Sequence, residues 1–209
     1  MALGSKGVVG RSQIRNAAQE RRAVTERAIL DAAESLIEER PFGAISVEDV
    51  MTATGLGRTA FYRYFHDLES VVERLMNRLI DQLWSASADW FFSDDPLAPL
   101  DEAMRRFAAV YRDHGRVLQA FEDAARAGSE LRVRWNESLA TMVGPLKSHL
   151  LRLMLDGRAS AELPEQTIDA LAIFTERYLL SVYGEGGETS IEWPTAVLLQ
   201  VWSRTLQLR

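Results

Sequence analysis

The stretch that decides the fold is ISVEDVMTATGLGRTAFYRYFHDLESVV, residues 45–72. It contains two short amphipathic segments joined by Gly55-Leu56-Gly57, which is typical of a tight turn between helices. Ser46 precedes the first segment as an N-cap with an acidic residue at the third helical position, a variant of the capping box. Gly55 closes that segment after Thr54, where a residue without a Cβ ends a helix most easily.

The second segment, RTAFYRYF, predicts a helix over residues 58–65. Asp67 follows it and can cap a long amphipathic helix over about residues 68–88. On the other side, TERAILDAAESLIEER repeats apolar residues at helical spacing, which predicts a helix over residues 25–40. Three short helices in a row, with a glycine turn between the second and third, indicate a helix-turn-helix.

The remainder of the chain also has helical periodicity, and no alternating strand pattern interrupts it. Pro145 lies inside one of these segments and is expected to kink or split it. The expected fold class is all-α. The helices are predicted over residues 97–114, 116–127, 130–156, 164–183 and 193–207.

Composition narrows the function classes. The 209 residues are 47% apolar and 26% charged, which is ordinary for a globular protein, and there are no cysteines. The missing thiols exclude disulfide scaffolds and thiolate metal sites, and fit a reducing compartment. Without a long apolar segment or a signal peptide, we expect a cytoplasmic protein and no membrane partner.

Charge is distributed unevenly along the chain. Residues 1–22 carry a net charge of +4, whereas the whole chain carries −6 and the remainder therefore −10. A basic arm on an acidic body is either a solvated tail or a segment that contacts nucleic acid. We expect residues 1–22 to form a flexible basic arm.

The run from Ala28 to Val72 resembles the DNA-binding domain of the tetracycline-repressor family. Gly55-Leu56-Gly57 matches the turn of that domain, and Phe61-Tyr62-Arg63-Tyr64-Phe65 matches its aromatic recognition-helix signature. The resemblance implies a helix-turn-helix domain over residues 23–67 and a ligand-binding and dimerisation domain over residues 68–209. It also implies a DNA-binding transcriptional regulator.

Several side chains are expected to contact DNA. Arg58 can read guanine through two hydrogen bonds, or can act as a phosphate clamp or a solvated arginine. Ser46 can bind a phosphate, cap its helix, or do both. Phe61 and Phe65 are expected in the core. The expected DNA-binding residues are Ser46, Gly57, Arg58, Thr59, Tyr62, Arg63 and Tyr64, with Arg21 and Arg22 from the arm.

One position departs from the family pattern. Many members carry a lysine near the start of the fourth helix, where this chain has Asp67-Leu68-Glu69. Phosphate contacts at that point are therefore in doubt. The arginines of the arm can compensate by reaching a minor groove or neighbouring phosphates.

The stretches AARAGSELRVRW (residues 124–135) and ELPEQTIDALAIFTERYLLSVYGEG (residues 162–186) resemble a subgroup of the family whose ligand site is an aromatic tunnel. That resemblance implies an elongated, hydrophobic small-molecule effector. Glu176 is either the polar anchor of the tunnel or one half of a surface ion pair with an arginine. The expected ligand-binding residues are Trp84, Phe91, Tyr111, Phe121, Trp135, Phe174, Thr175, Glu176, Tyr178 and Trp202.

The last two helices carry more apolar residues than one packing face needs, so we expect them to form a two-fold symmetric homodimer. Its two recognition helices would read a palindromic double-stranded DNA operator. The residues expected at this interface are Ile168, Leu171, Leu179, Val182, Val197, Leu198, Val201 and Leu206.

Two other classes of function were weighed. A helical enzyme would need catalytic groups, but the three histidines are far apart and no phosphate-binding glycine loop is present. We therefore expect no catalytic residue, cofactor or metal site. A protein-interaction module that has lost DNA binding is supported only by the missing lysine near Leu68.

Overall fold

The regular elements of the chain are helices, as predicted. The computed structural model describes residues 6–91, 93, 95, 97–127, 129–160, 163–164 and 166–208. A short 3-10 turn lies between the first two helices. The helices are α1 (Lys6–Glu39), α2 (Val47–Thr54), α3 (Arg58–Phe61), α4 (Leu68–Phe91), α5 (Ala98–Ala127), α6 (Ser129–Leu155), α7 (Gln166–Tyr183) and α8 (Glu192–Leu206).

The chain divides into two compact units after Val71. In the N-terminal unit α1 packs on α2, and α2 packs on α3. The apolar face predicted for the first helix is buried, because Ile29, Ala33 and Ile37 are at most 3% exposed. This core holds the two short helices, which are too short to be stable alone.

Two helix boundaries in the N-terminal unit differ from those predicted from the sequence. Helix α1 begins at Lys6, so residues 6–22 are helical where a flexible arm was expected. Residues 11–39 contain neither glycine nor proline, and nothing local ends the helix there. Regular helix α3 ends at Phe61, earlier than predicted, and the chain continues in tight turns in which the Tyr64 N–H donates to the Phe61 carbonyl.

In the C-terminal unit α5 packs against α6, α7 and α8. Helices α5 and α7 approach each other closely at Gly115, where an added Cβ would be 2.7 Å from the carbonyl carbon of Tyr183. The break predicted beside Gly115 is confirmed as a kink, because His114 has non-helical dihedral angles (φ −132°, ψ 18°) inside α5.

The predicted split at Pro145 is not observed, because α6 runs through it as one helix. Proline removes one backbone donor from the helix, and the hydrogen bonds on either side are enough to continue it.

Candidate DNA-binding surface and effector region

The turn between α2 and α3 has the geometry that its residues predicted. The Ser46 N–H and hydroxyl both donate to Asp49 Oδ2, at 2.8 and 2.6 Å, and the Asp49 N–H donates back to Ser46 Oγ at 3.2 Å. Gly55 has φ +69°, in the left-handed region that favours glycine. Gly57 caps α3 in an extended conformation.

Capping is therefore an established role of Ser46. Its hydroxyl already donates and accepts, so a phosphate would have to replace the bond to Asp49. Hydrogen bonds from Ser46, then the guanidinium of Arg40 at 3.1 Å, lower the pKa of Asp49 to about 2. A charged carboxylate holds this end of α2.

The recognition segment, residues 58–65, places some of its aromatic side chains in the core and others on the surface. Phe61 is fully buried and Phe65 is 7% exposed, as expected, and their ring centroids lie 5.7 Å apart. Tyr62 points outward and is 55% exposed. The predicted DNA contacts Gly57, Arg58, Thr59 and Arg63 are also exposed, and Tyr64 is half-buried. One side of the segment thus anchors it, and the other is free for recognition.

Arg22 brings the basic part of α1 to this surface. Its guanidinium carbon lies 5.8 Å from the centre of the Tyr64 ring, a cation–π contact. Arg21 is exposed, and its Nε donates to the Ala17 carbonyl. Arg22 and Tyr64 were both expected to contact DNA. Their contact with each other could not be predicted from the sequence, because the two residues are far apart in the chain.

The start of α4 is a conventional helix cap. The Ser70 N–H donates to Asp67 Oδ1 at 2.8 Å, which confirms the predicted capping role. Asp67, Leu68 and Glu69 stand where many members of the resembled family have a lysine, so this turn brings no positive charge to the surface.

In the C-terminal unit, residues from several helices form an interior aromatic cluster. The Trp90 and Trp202 rings meet edge to face at 5.7 Å. The Trp202 indole N–H donates to Thr175 Oγ1 at 2.9 Å, and the Thr175 hydroxyl donates to the Leu171 carbonyl. Two predicted ligand-site residues, Thr175 and Trp202, are thus brought together with their polar atoms paired.

The other predicted effector residues occupy different places. Phe174 is 37% exposed and stacks on Tyr178 at 5.6 Å, and Tyr178 contacts Trp193 on α8. Tyr111 and Phe121 are buried, and Trp84 is half-buried. The side chains of Phe91 and Trp135 lie outside the described residues. A single tunnel lined by all ten residues therefore stays a prediction.

Glu176 lies in a groove between α6 and α7 with a cavity volume of about 330 Å³. A Lys147–Asp169 ion pair, with 2.9 Å between Nζ and Oδ2, also lines this groove. Arg177, which follows Glu176 in the chain, pairs with Glu122 on α5 at 3.0 Å. Both interpretations of Glu176, as a polar anchor or as one half of an ion pair, stay predictions.

Glu122 is the centre of a charged cluster with no local sequence signal. Its side chain is 3% exposed and binds both Arg132 and Arg177, which tie α6 and α7 to α5. Burial alone would raise the pKa of Glu122, but the two guanidinium groups outweigh burial and lower it. Burial, with Glu176 and Glu122 nearby, raises the pKa of Tyr111 and keeps its phenol neutral.

Much of the apolar face predicted for dimerisation is instead used inside the chain. Ile168, Leu171, Leu179, Leu198 and Leu206 are at most 6% exposed, because α7 and α8 pack against α5 with these residues. The predicted interface is wrong in those positions. The apolar residues that α7 and α8 leave exposed are Ile173, Phe174, Trp193 and Val197.

No helix in the described part of the chain is long and apolar enough to cross a membrane. Among the described residues, no group of three or more His, Cys, Asp or Glu side chains could hold a metal ion.

Helices α1, α2 and α3 share one core, and α3 keeps its other side exposed, which is the arrangement of a helix-turn-helix domain. Residues 29–75 match the family described as bacterial regulatory proteins, tetR family. The match covers the helix-turn-helix, and the proteins that this chain resembles are named as transcriptional regulators and not as enzymes. It resembles the HTH-type transcriptional regulator EthR of Mycobacterium tuberculosis, with 27% identity over 185 residues that cover 85% of this chain and 84% of the relative.

Two further comparisons concern half of the sequence and the fold. The HTH-type transcriptional repressor LfrR of Mycolicibacterium smegmatis is 31% identical over 105 residues, 50% of this chain and 51% of the relative. The TetR family regulator PfmR of Thermus thermophilus has the same fold, with a TM-score of 0.70 and 19% identity over 86% of this chain and 97% of that structure.

Proposed function

We propose that this regulator is a repressor that binds a palindromic operator as a homodimer and changes its DNA affinity when an apolar small molecule binds in its C-terminal unit. The observation that carries the DNA-binding part is the split of the recognition segment, in which Phe61 is fully buried while Tyr62 is 55% exposed. A helix held in this way presents polar side chains at a fixed angle to the major groove.

The base-reading role belongs to the exposed residues at the start of α3. Arg58 has a planar guanidinium that can donate two hydrogen bonds to guanine, and Thr59 stands beside it. Tyr62 and Arg63 reach phosphates on the flank, and Arg21 and Arg22 add positive charge from α1. These contacts replace the phosphate-binding lysine that the turn at Asp67 lacks.

The dimer is proposed on the apolar residues that α7 and α8 leave exposed. Ile173 is 58% exposed and Trp193 is 46% exposed, and large apolar side chains clustered on a surface mark interfaces. Packing α7 and α8 on their copies in a second chain would cover them and pair two recognition helices about a two-fold axis. The similarity to LfrR, which is named a transcriptional repressor, supports the repression part of the proposal.

Effector control is proposed through α4, which begins in the N-terminal unit and continues into the C-terminal one. Trp90 lies in its last turn, within the aromatic cluster. A ligand that binds this region with different affinity in two conformations would shift α4, and with it the spacing of the recognition helices.

The test uses genomic fragments captured by the full-length protein at about 0.15 M salt, near physiological ionic strength. The selected duplex is then titrated with wild type, Arg58→Ala, Tyr62→Ala and Arg105→Ala. The last is the control, because Arg105 is a partly exposed arginine of α5 in the C-terminal unit and pairs with Asp101. We expect Arg58→Ala to weaken binding about 10-fold, as the loss of a bidentate base contact does. Arg105→Ala should bind as wild type does. A duplex that all four proteins bind equally would contradict the proposed surface.

A further inference from the structure

A buried histidine lies beside the aromatic cluster of the C-terminal unit. His149, on α6, is only 1% exposed, and its ring meets Trp90 at 5.3 Å with the planes 73° apart. Trp90 in turn contacts Trp202. Histidine is polar, and buried polar atoms usually have hydrogen-bond partners. The packing of the aromatic rings does not provide partners for the two ring nitrogens of His149.

The contact with Arg152 fixes which nitrogen of the ring carries the proton. An Arg152 guanidinium nitrogen lies 3.3 Å from His149 Nδ1. A guanidinium can only donate, so Nδ1 must accept and cannot hold a proton. Burial first, then the charges of Arg152 and Arg158, lower the pKa of His149, so the ring is neutral near pH 7. The single N–H of the neutral ring is therefore on Nε2.

That Nε2 donor is buried and has no hydrogen-bond partner among the described residues. Of the polar atoms in the aromatic cluster, the Trp202 indole N–H can only donate, and the Thr175 hydroxyl oxygen already accepts from it. A buried donor without an acceptor is costly, and native proteins usually supply one from a ligand or an ordered water.

We infer that His149 is the polar anchor of the effector site and donates its Nε2–H to a neutral oxygen acceptor on an otherwise apolar ligand. The ligand class is an apolar molecule with a ketone, ester or amide carbonyl. The walls offered by Trp90 and Trp202 are apolar, and burying a carboxylate there would cost more than burying a carbonyl. This inference rests on the proposed control by a small molecule and names the chemistry of that site.

The test compares two molecules of the same shape, butyrophenone and butylbenzene, which differ in one carbonyl group. Their binding to the full-length protein is measured by calorimetry and by quenching of tryptophan fluorescence. The variants are His149→Phe, which keeps an aromatic ring without a donor, and His66→Phe, the same change at an exposed histidine. We expect wild type and His66→Phe to bind the ketone about 10-fold more tightly than the hydrocarbon. His149→Phe should lose that preference and keep its affinity for butylbenzene.

A second readout covers the case in which His149→Phe does not fold. In wild-type protein labelled with ¹⁵N-histidine, the Nε2 resonance of His149 should be that of a protonated nitrogen and should shift as butyrophenone saturates the site. Equal affinities for the two molecules, an unchanged Nε2 resonance, or no binding up to the solubility of either molecule would overturn the inference.

Operator binding separates this inference from the proposed function. Ketone binding at His149 that leaves the affinity for captured DNA unchanged would uphold the anchor and refute ligand control. If operator binding responds to other compounds while His149 contacts none of them, ligand control is upheld and the anchor role of His149 is refuted.

Discussion

Replacing Gly115 with alanine adds one methyl group at a close contact between α5 and α7. In the structure the new Cβ would lie 2.7 Å from the carbonyl carbon of Tyr183, closer still to its oxygen, and 3.0 Å from its Cβ. Two carbon atoms pack without strain at about 3.5–4.0 Å. The overlap is therefore about 1 Å, and it lies against backbone, which cannot rotate away as a side chain can.

The expected change in the free energy of unfolding is the sum of two opposing contributions. Overpacking a core without a flexible neighbour costs about 1–3 kcal/mol, and a clash with backbone belongs at the upper end. Alanine in place of helical glycine recovers up to about 1 kcal/mol through helix propensity. We expect Gly115→Ala to be destabilised by about 2 kcal/mol, which for a chain of this length lowers Tm by roughly 4–8 °C.

Gly144 on α6 provides the matched control, because an added Cβ there meets no atom within 4 Å. Gly144→Ala should leave Tm unchanged or raise it by a few degrees, since only the helix-propensity term acts. Thermal unfolding followed by circular dichroism and urea titration measure both variants. A Gly115→Ala protein as stable as Gly144→Ala would refute the packing of α5 on α7 described here.

Four further changes are expected to have measurable effects. Ser46→Ala removes the cap of α2 and should lower the free energy of unfolding by about 1 kcal/mol in urea titrations, with Thr tolerated at the same position. Glu122→Gln leaves two guanidinium groups without their buried carboxylate and should cost about 1–3 kcal/mol, less than a fully buried pair because both arginines are partly exposed. The pKa of His149 in the folded state lies below its unfolded value of 6.5. As the pH falls below that value, the unfolded chain binds more protons than the folded chain, and the free energy of unfolding decreases. This decrease should be smaller in His149→Phe. Ile173→Glu should shift the sedimenting species from dimer to monomer while the circular dichroism spectrum stays helical, and a dimer that persists would contradict the proposed interface.

The N-terminal unit was predictable because its signals are local. The Ser46 cap, the positive φ of Gly55 and the burial of Phe61 each depend on residues within a few positions. Local capping and turn chemistry act in the same way wherever they occur, so these predictions were confirmed. The start of α1 was missed because the basic residues suggested a tail, although the same residues are good helix formers.

The C-terminal unit was predictable in its helices and less so in its contacts. Periodicity marks an apolar face, but it does not decide whether that face packs inside the chain or against another copy. Leu179 and Leu198 were therefore placed at the dimer interface, whereas both are fully buried within the chain. The ion pairs of Glu122 join residues 10 and 55 positions away. No pattern within one helix reports such contacts, and the same holds for the partnerless nitrogen of His149.

The most direct test of the central claim is the preference of the protein for its captured operator over a shuffled duplex of the same base composition. Both affinities are measured by fluorescence anisotropy at about 0.15 M salt for wild type, Arg58→Ala and the control Arg105→Ala. Recognition through the exposed face of α3 predicts that wild type and Arg105→Ala prefer the operator about 1,000-fold or more, and that Arg58→Ala loses about 10-fold of that preference. Equal affinity of the wild type for both duplexes would contradict sequence-specific DNA binding and favour a protein-interaction module that retains the fold.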